Sequence, residues 1–315
     1  MDRRSFLAVL GSLPLASCLH FVAESPVTIL LPKNYEPPNG VSGWWYTRKL
    51  RSATMDFLKQ NHPPNQPFGV WKQPFYDVKY SLEARLEEIT TLAVESCQKN
   101  KSIHPVDPAL LVAGLYVESL FYEFAVSSAL AVGVAQFIAP TARDKPFNLV
   151  CAGDLSEHYR SPYQLPELAG KQREYESLSA TLRAYKKNGS QREKKEIPAV
   201  EEAARRAKEE FKLFFAANIS SRDIFNEDDR AFLNDFDQRT IGAHAVPSMA
   251  RYIADSLKAR NGNVLAAWSA YNAGLGSTSA TGFLKPYGRL PNGDTATYAQ
   301  KIVLVAENLN TRIFG

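Results

Sequence analysis

Residues 107–143 read DPALLVAGLYVESLFYEFAVSSALAVGVAQFIAPTAR. Asp107 suits a helix N-cap, where a carboxylate accepts from the unpaired N–H groups of the first turn, and Pro108 suits the first helical position, where no N–H is needed. The helix they start runs through Leu110, Leu111, Gly114 and Val117 to Glu118, and its apolar residues occupy nearly the whole circumference. Such a helix is stable only when other elements cover it on every side, which makes it the buried centre of a domain. Glu118 therefore puts a carboxyl group at the end of a strongly apolar helix.

Upstream, Leu82, Leu86, Ile89 and Ala93 recur at i, i+4, i+7 and i+11 from Ser81 on, one face of an amphipathic helix. Downstream, a charged stretch over about 165–218 is broken at Asn188, Gly189 and Ser190. Tyr175, Leu178, Leu182 and Tyr185 are helically spaced before the break, and Ile197, Val200, Ala204, Ala207 and Phe211 after it. That pattern predicts an antiparallel helical hairpin, inserted as a charged arm that either stays solvated or docks an envelope protein partner. No strand alternation of useful length occurs, so the fold class is mostly α.

Residues 21–80 are rich in proline and aromatics, and Pro37, Pro38, Pro63, Pro64, Pro67 and Pro74 interrupt every candidate helix except a short one near 51–60. Trp44, Trp45, Tyr46, Trp71, Phe75 and Tyr76 are too apolar for a free linker, so much of this stretch is expected to dock as a strap, with sugar stacking the alternative for some rings. At the start, Arg3 and Arg4 precede an apolar run over 6–16, broken by Pro14 and short for a membrane span. The expected division is a signal peptide over 1–18, a tether and strap over 19–80, and the main domain over 81–315, interrupted by the arm.

The 315 residues, 45% hydrophobic and 22% charged, can bury one large core or two modest ones. A formal net charge of +4, from 37 basic and 33 acidic residues, gives no sign of a nucleic-acid binder. Outside the leader, Cys97 and Cys151 are an even pair; a disulfide and two separate buried thiols both fit the sequence. His104, His158 and His244 lack metal-ligand spacing, and no Ser-His-Asp set or phosphate-cradling glycine loop is visible, so neither a metal nor another cofactor is expected.

The order Glu118, Ser119, Phe121, then Ala125 and Ser127, then Gly133 and Gln136, then Thr141 and Ala142 resembles the soluble lytic transglycosylases, whose catalytic domain is similar to goose-type lysozyme. Ala267, Trp268, Ser269, Ala270, Tyr271, Asn272, Ala273 and Gly274 look like the family's Ala-x-Tyr-Asn-x-Gly segment, and Tyr298 with Lys301 and Val303 is similar to its closing tyrosine helix. The resemblance covers roughly 81–160 and 223–310. Val134 and Ala135 stand where the family has Leu-Met, and Ile138 and Ala139 where it has Met-Pro, with the proline moved to Pro140; these departures are read as altered walls of a sugar groove. Leu15, Ala16, Ser17 and Cys18 resemble a bacterial lipobox, which implies acylation of Cys18, and residues 3–7 look like a twin-arginine export signal. Leu19 is not the acidic residue that resembles an inner-membrane retention signal, so the expectation is a periplasmic protein on the outer membrane.

Glycosidic cleavage needs a proton delivered to the leaving oxygen, and burial of a carboxyl beside apolar groups keeps that proton available near neutral pH. Most glycosidases set a second carboxylate across the bond, but Glu123, the nearest in sequence, lies about 140° round a helix from Glu118. A lone acid suggests that the substrate supplies its own nucleophile. The resemblance implies attack by the muramic acid C6 hydroxyl, a 1,6-anhydro product, Glu118 as acid and then base, and substrate contacts from Ser127, Gln136, Tyr271, Asn272 and Tyr298. The alternatives are a hydrolytic muramidase and a non-catalytic glycan-binding scaffold of an envelope-spanning machine.

Overall fold

In the computed structural model the described residues are 41–154, 165–278 and 293–315. The expected signal peptide and the lipidation site Cys18 lie outside them. The helices are α1 (Gly43–Asn61), α2 (Phe75–Lys99), α3 (Pro108–Ser119), α4 (Ala139–Arg143), α5 (Leu165–Asn188), α6 (Gln191–Asn218), α7 (Glu227–Phe236), α8 (Gly242–Ala259), α9 (Val264–Ala273) and α10 (Gly293–Phe314). Pairing between extended segments among these residues is confined to isolated bridges, so the mostly α, lysozyme-like reading with its inserted hairpin holds.

Every residue of α3 is buried, as its all-round apolar surface requires. It is surrounded by α2 and α10; α8 packs on α2, and α9 lies against α8 and α10. Asp107 caps α3 as expected, accepting from Ala109 N at 2.8 Å. The same carboxylate also accepts from Tyr46 Oη at 3.1 Å and Asn310 Nδ2 at 2.6 Å, so one cap ties α1 and α10 to the start of the central helix. Gly114 is the contact point with α9: a Cβ there would stand 2.1 Å from the Trp268 ring.

From residue 41 on, the N-terminal stretch is more helical than its prolines suggest. α1 fills the proline-free interval up to Pro63 and is longer than the helix expected near 51–60. α2 begins at Phe75, immediately after Pro74, earlier than the periodicity from Ser81 indicates. The expectation that the aromatic residues dock is corrected in part. Tyr46 and Phe75 are buried and Trp71 is half-buried, but Trp44, Trp45 and Tyr76 are exposed, because one helix meets the core along one face only. Cys97 and Cys151 are both buried free thiols, which resolves the open alternative against a disulfide: Cys97 belongs to α2, whereas Cys151 packs near the carbonyls of Ala139 and Leu149. In the arm, Ser190 and Glu193 form a reciprocal capping box that starts α6 directly after the break.

His62, just beyond α1, sits against Phe68 and Phe75 with Nε2 3.0 Å from Tyr116 Oη. Burial pushes its pKa down to about 4 from 6.5. Because the unfolded chain binds this proton more readily, the stabilising contribution is complete above pH 6.5 and is lost as pH falls towards 4. The loss should be about 1–3 kcal/mol. Urea unfolding between pH 7 and 4 checks it: His62→Gln should lose less stability across that window than the wild type.

Candidate active site

α3 ends in an abrupt turn. Leu120 and Phe121 follow with φ of 52° and 62°, two successive non-glycine residues in the left-handed region, a backbone state held only where the surroundings over-determine it. Those surroundings are identifiable. Trp71 Nε1 donates to Leu120 O at 2.9 Å, Phe121 is fully buried, and Ser119 Oγ lies 2.9 Å from Val134 O, clipping the helix end to the next loop. Glu118 is thereby fixed at the mouth of the apolar core, 7% exposed.

Tyr298, from α10, reaches Glu118 across the interface of the two helices and donates to Oε1 at 2.5 Å. Trp268 packs between Gly114 and these residues, with ring contacts to Tyr298 and Tyr271. Tyr271 in turn donates to Ala135 O at 2.5 Å. Three blocks remote in sequence thus meet: Glu118, the Trp268–Asn272 stretch of α9 and Tyr298. Tyr298→Phe removes the hydroxyl that fixes the carboxyl while keeping the ring in the core. On the activity that the family resemblance implies, it should lower kcat by about 10- to 100-fold with little change in KM, measured as release of soluble fragments from sacculi.

Ser127 and Gln136 lie inside the loop between α3 and α4. Ser127 Oγ accepts from the N–H groups of Ala129 (3.1 Å) and Ala131 (3.0 Å), and Gln136 Nε2 donates to the carbonyls of Ala125 (2.9 Å) and Gly133 (2.8 Å). Both are buried, so what these motif residues do here is hold the loop's shape. Gly133 has φ +84°, and a Cβ on it would come 1.7 Å from Arg239 O, which gives the motif glycine a steric reason. Val134 and Ala135 are also buried core residues, not the groove walls expected of them, whereas Ile138 is half-buried beside a cavity.

Sequence reading missed two ion pairs that frame this loop. Arg239 and Asp237 are completely buried; Arg239 Nε and Nη2 donate to Asp237 at 2.8 and 2.6 Å, and Nη1 reaches the carbonyls of Leu130 (3.3 Å) and Phe137 (3.2 Å). Glu123 is held by Arg85 in a buried two-pronged pair, with Nε to Oε2 at 2.8 Å. The nearest second carboxylate in sequence therefore has a structural partner. An acid and a base two residues apart at Asp237 and Arg239 was the available signal, but nothing local announces that both are interior.

A cavity of about 410 Å³ opens beside the C-terminal end of α9, which carries Tyr271 and Asn272, and is bordered on the main domain by Ile138, Pro140, Thr141 and Tyr252. Glu118 does not line it; the two are connected through Tyr271, Trp268 and Tyr298. Gly274, with φ +90°, ends α9 and turns the chain after Asn272. Among the described residues no group of three or more His, Cys, Asp and Glu side chains is arranged to hold a metal ion, and no helix is long and apolar enough to cross a membrane.

Comparison with family models matches residues 95–164 to the Transglycosylase SLT domain. The match contains the whole Glu118 to Ala142 block and stops before the segments that supply Tyr271 and Tyr298. Neither a search of curated proteins nor one of solved structures returned a match.

Proposed function

We propose, with the Transglycosylase SLT domain over residues 95–164 as premise, that this protein is a peptidoglycan lytic transglycosylase that cleaves the β-1,4 bond between MurNAc and GlcNAc. The observation that carries the reading is Glu118, buried at the end of α3 and held by Tyr298, with Glu123 engaged by Arg85. Glu118 gives its proton to the glycosidic oxygen as the C1–O bond breaks and the bonding pair leaves with that oxygen. The C6 hydroxyl of the same muramyl residue then bonds to C1 and passes its proton to the Glu118 carboxylate. The acid is restored, the product end is 1,6-anhydro, and no water is consumed. Tyr298 orients the carboxyl, Tyr271 and Asn272 position the sugar, and Ser127 and Gln136 contribute through the loop they shape.

Export, acylation at Cys18 and a periplasmic site on the outer membrane belong to the same proposal and rest on the N-terminal sequence. Exposed Trp44, Trp45, Tyr76 and Tyr80, beside Arg48, Lys49 and Lys79, are the residue types that suit a lipid headgroup layer and support it. The charged arm is also the surface proposed to dock an envelope protein partner. The test is mass spectrometry of muropeptides released from purified sacculi by protein lacking residues 1–18. Anhydro ends are expected. Ends heavier by one oxygen and two hydrogens would make the protein a muramidase, and no release at all would favour the glycan-binding scaffold.

A further inference from the structure

The arm's first helix does not turn all its polar surface to solvent. Gln172, Tyr175, Glu176, Ser179, Arg183 and Lys186 line the 410 Å³ cavity opposite Ile138, Thr141, Tyr252 and Asn272. Their spacing, i, i+3, i+4, i+7, i+11 and i+14, is a single helix face about 21 Å long. This wall is fastened at its base. Arg143, at the end of α4, pairs with Glu176 at 2.8 Å and Asp154 at 2.5 Å, and Leu168, Phe211 and Phe215 share a buried cluster with Phe124 and Leu130 of the catalytic loop.

Two side chains on this face have capacity that the fold leaves unused. Gln172 is 1% exposed; its Nε2 donates to Glu176 at 2.6 Å, while Oε1 is buried with no hydrogen-bond partner. A buried acceptor in that condition is costly to the fold, a cost that a ligand N–H or O–H would relieve. Arg183 is exposed and makes no ion pair among the described residues, although Lys186 on the same face is paired with Glu201 and Lys171 with Glu210. Aromatic rings, an amide acceptor and a lone cation around one cavity match an N-acetylated sugar that carries a carboxylate.

Resting on the transglycosylase reading, we propose that α5 is the second wall of the glycan groove and takes a muramyl unit of the bound strand. The sugar packs on Tyr175, an N–H or O–H of the unit donates to Gln172 Oε1, and Arg183 pairs with a carboxylate reached through the lactyl group. That carboxylate is either the free lactyl group or one on the stem peptide.

The test compares wild type, Arg183→Glu and Tyr175→Ala on peptide-bearing strands, on strands stripped of peptide, and on neutral N-acetylglucosamine oligomers as binding probes. Arg183 is exposed, so its variant should fold normally, checked by an unchanged melting temperature. Arg183→Glu should raise KM on peptide-bearing strands about tenfold, the loss carried in KM and not in kcat and shrinking as salt is added. A loss confined to peptide-bearing strands assigns a stem-peptide carboxylate, and a matching loss on stripped strands means that the lactyl carboxylate freed by removal of the peptide takes its place. Tyr175→Ala should weaken binding of the neutral oligomer, which Arg183→Glu should leave alone. KM unchanged in both variants would overturn the proposal, as would an equal effect of Arg183→Glu on the neutral oligomer. If the wild type releases no anhydro ends, the transglycosylase reading fails separately, and strand binding to Glu118→Gln with and without Arg183→Glu still decides whether α5 is a wall.

Discussion

Glu118→Gln is expected to cut release of soluble fragments from sacculi by about a thousandfold, the share of rate that a positioned general acid supplies. The substitution keeps size and shape, and its side-chain oxygen can still accept from Tyr298 Oη, so the helix end and the loop clipped to it should be unaltered. What is removed is the proton given to the leaving oxygen and the carboxylate that takes one back. KM and the melting temperature should therefore stay near wild-type values while kcat collapses. Dye-release from labelled sacculi with calorimetric melting of the same preparation checks both halves. A variant that keeps more than about a tenth of the rate would remove Glu118 from the acid role.

The second large effect is on the framework. Asp237→Ala should destabilise the protein by about 3–5 kcal/mol, because it leaves the Arg239 guanidinium charged and buried without its counter-ion. Arg239 cannot escape by losing its proton in this variant, since the intrinsic basicity of the guanidinium keeps it ionised even without the neighbouring carboxylate. Its other donors are committed to the carbonyls of Leu130 and Phe137, at either end of the segment that contains Gly133 and Gln136. The loop would loosen as the fold weakens. A fall in melting temperature on the order of 10 °C is expected, with activity falling at temperatures where the variant is still folded. An unchanged melting temperature would mean that the pair can open to water and does not brace the loop.

Much of the site was legible because local chemistry dictated it. Asp107 before Pro108 and an apolar circumference require a capped, buried helix whatever surrounds it, and α3 is that helix. The break at Asn188, Gly189 and Ser190 separates two helical periods, and α5 and α6 meet there. Residues whose roles depend on partners far along the chain were not legible. Arg239 acts on a loop that precedes it by roughly a hundred residues, and Ser127 and Gln136 are turned inward by hydrogen bonds that no spacing reveals. Trp44 and Trp45 looked like core residues by type, yet the helix that carries them meets the core with Tyr46, Leu50, Ala53 and Phe57 instead. Val134 and Ala135 show the converse: motif departures taken for groove walls are interior packing. The polar stripe of α5 resembled any solvated helix face until the cavity gave it an opposite wall.

The central claim is that Glu118 performs both proton transfers while the substrate's own hydroxyl, not water, closes on C1. Digestion of purified sacculi in water enriched in oxygen-18, followed by mass spectrometry of the new glycan ends, tests it most directly. The account predicts anhydro ends with no heavy oxygen incorporated by the wild-type protein and no new ends from Glu118→Gln. New reducing ends carrying one oxygen-18 atom at C1 would contradict it.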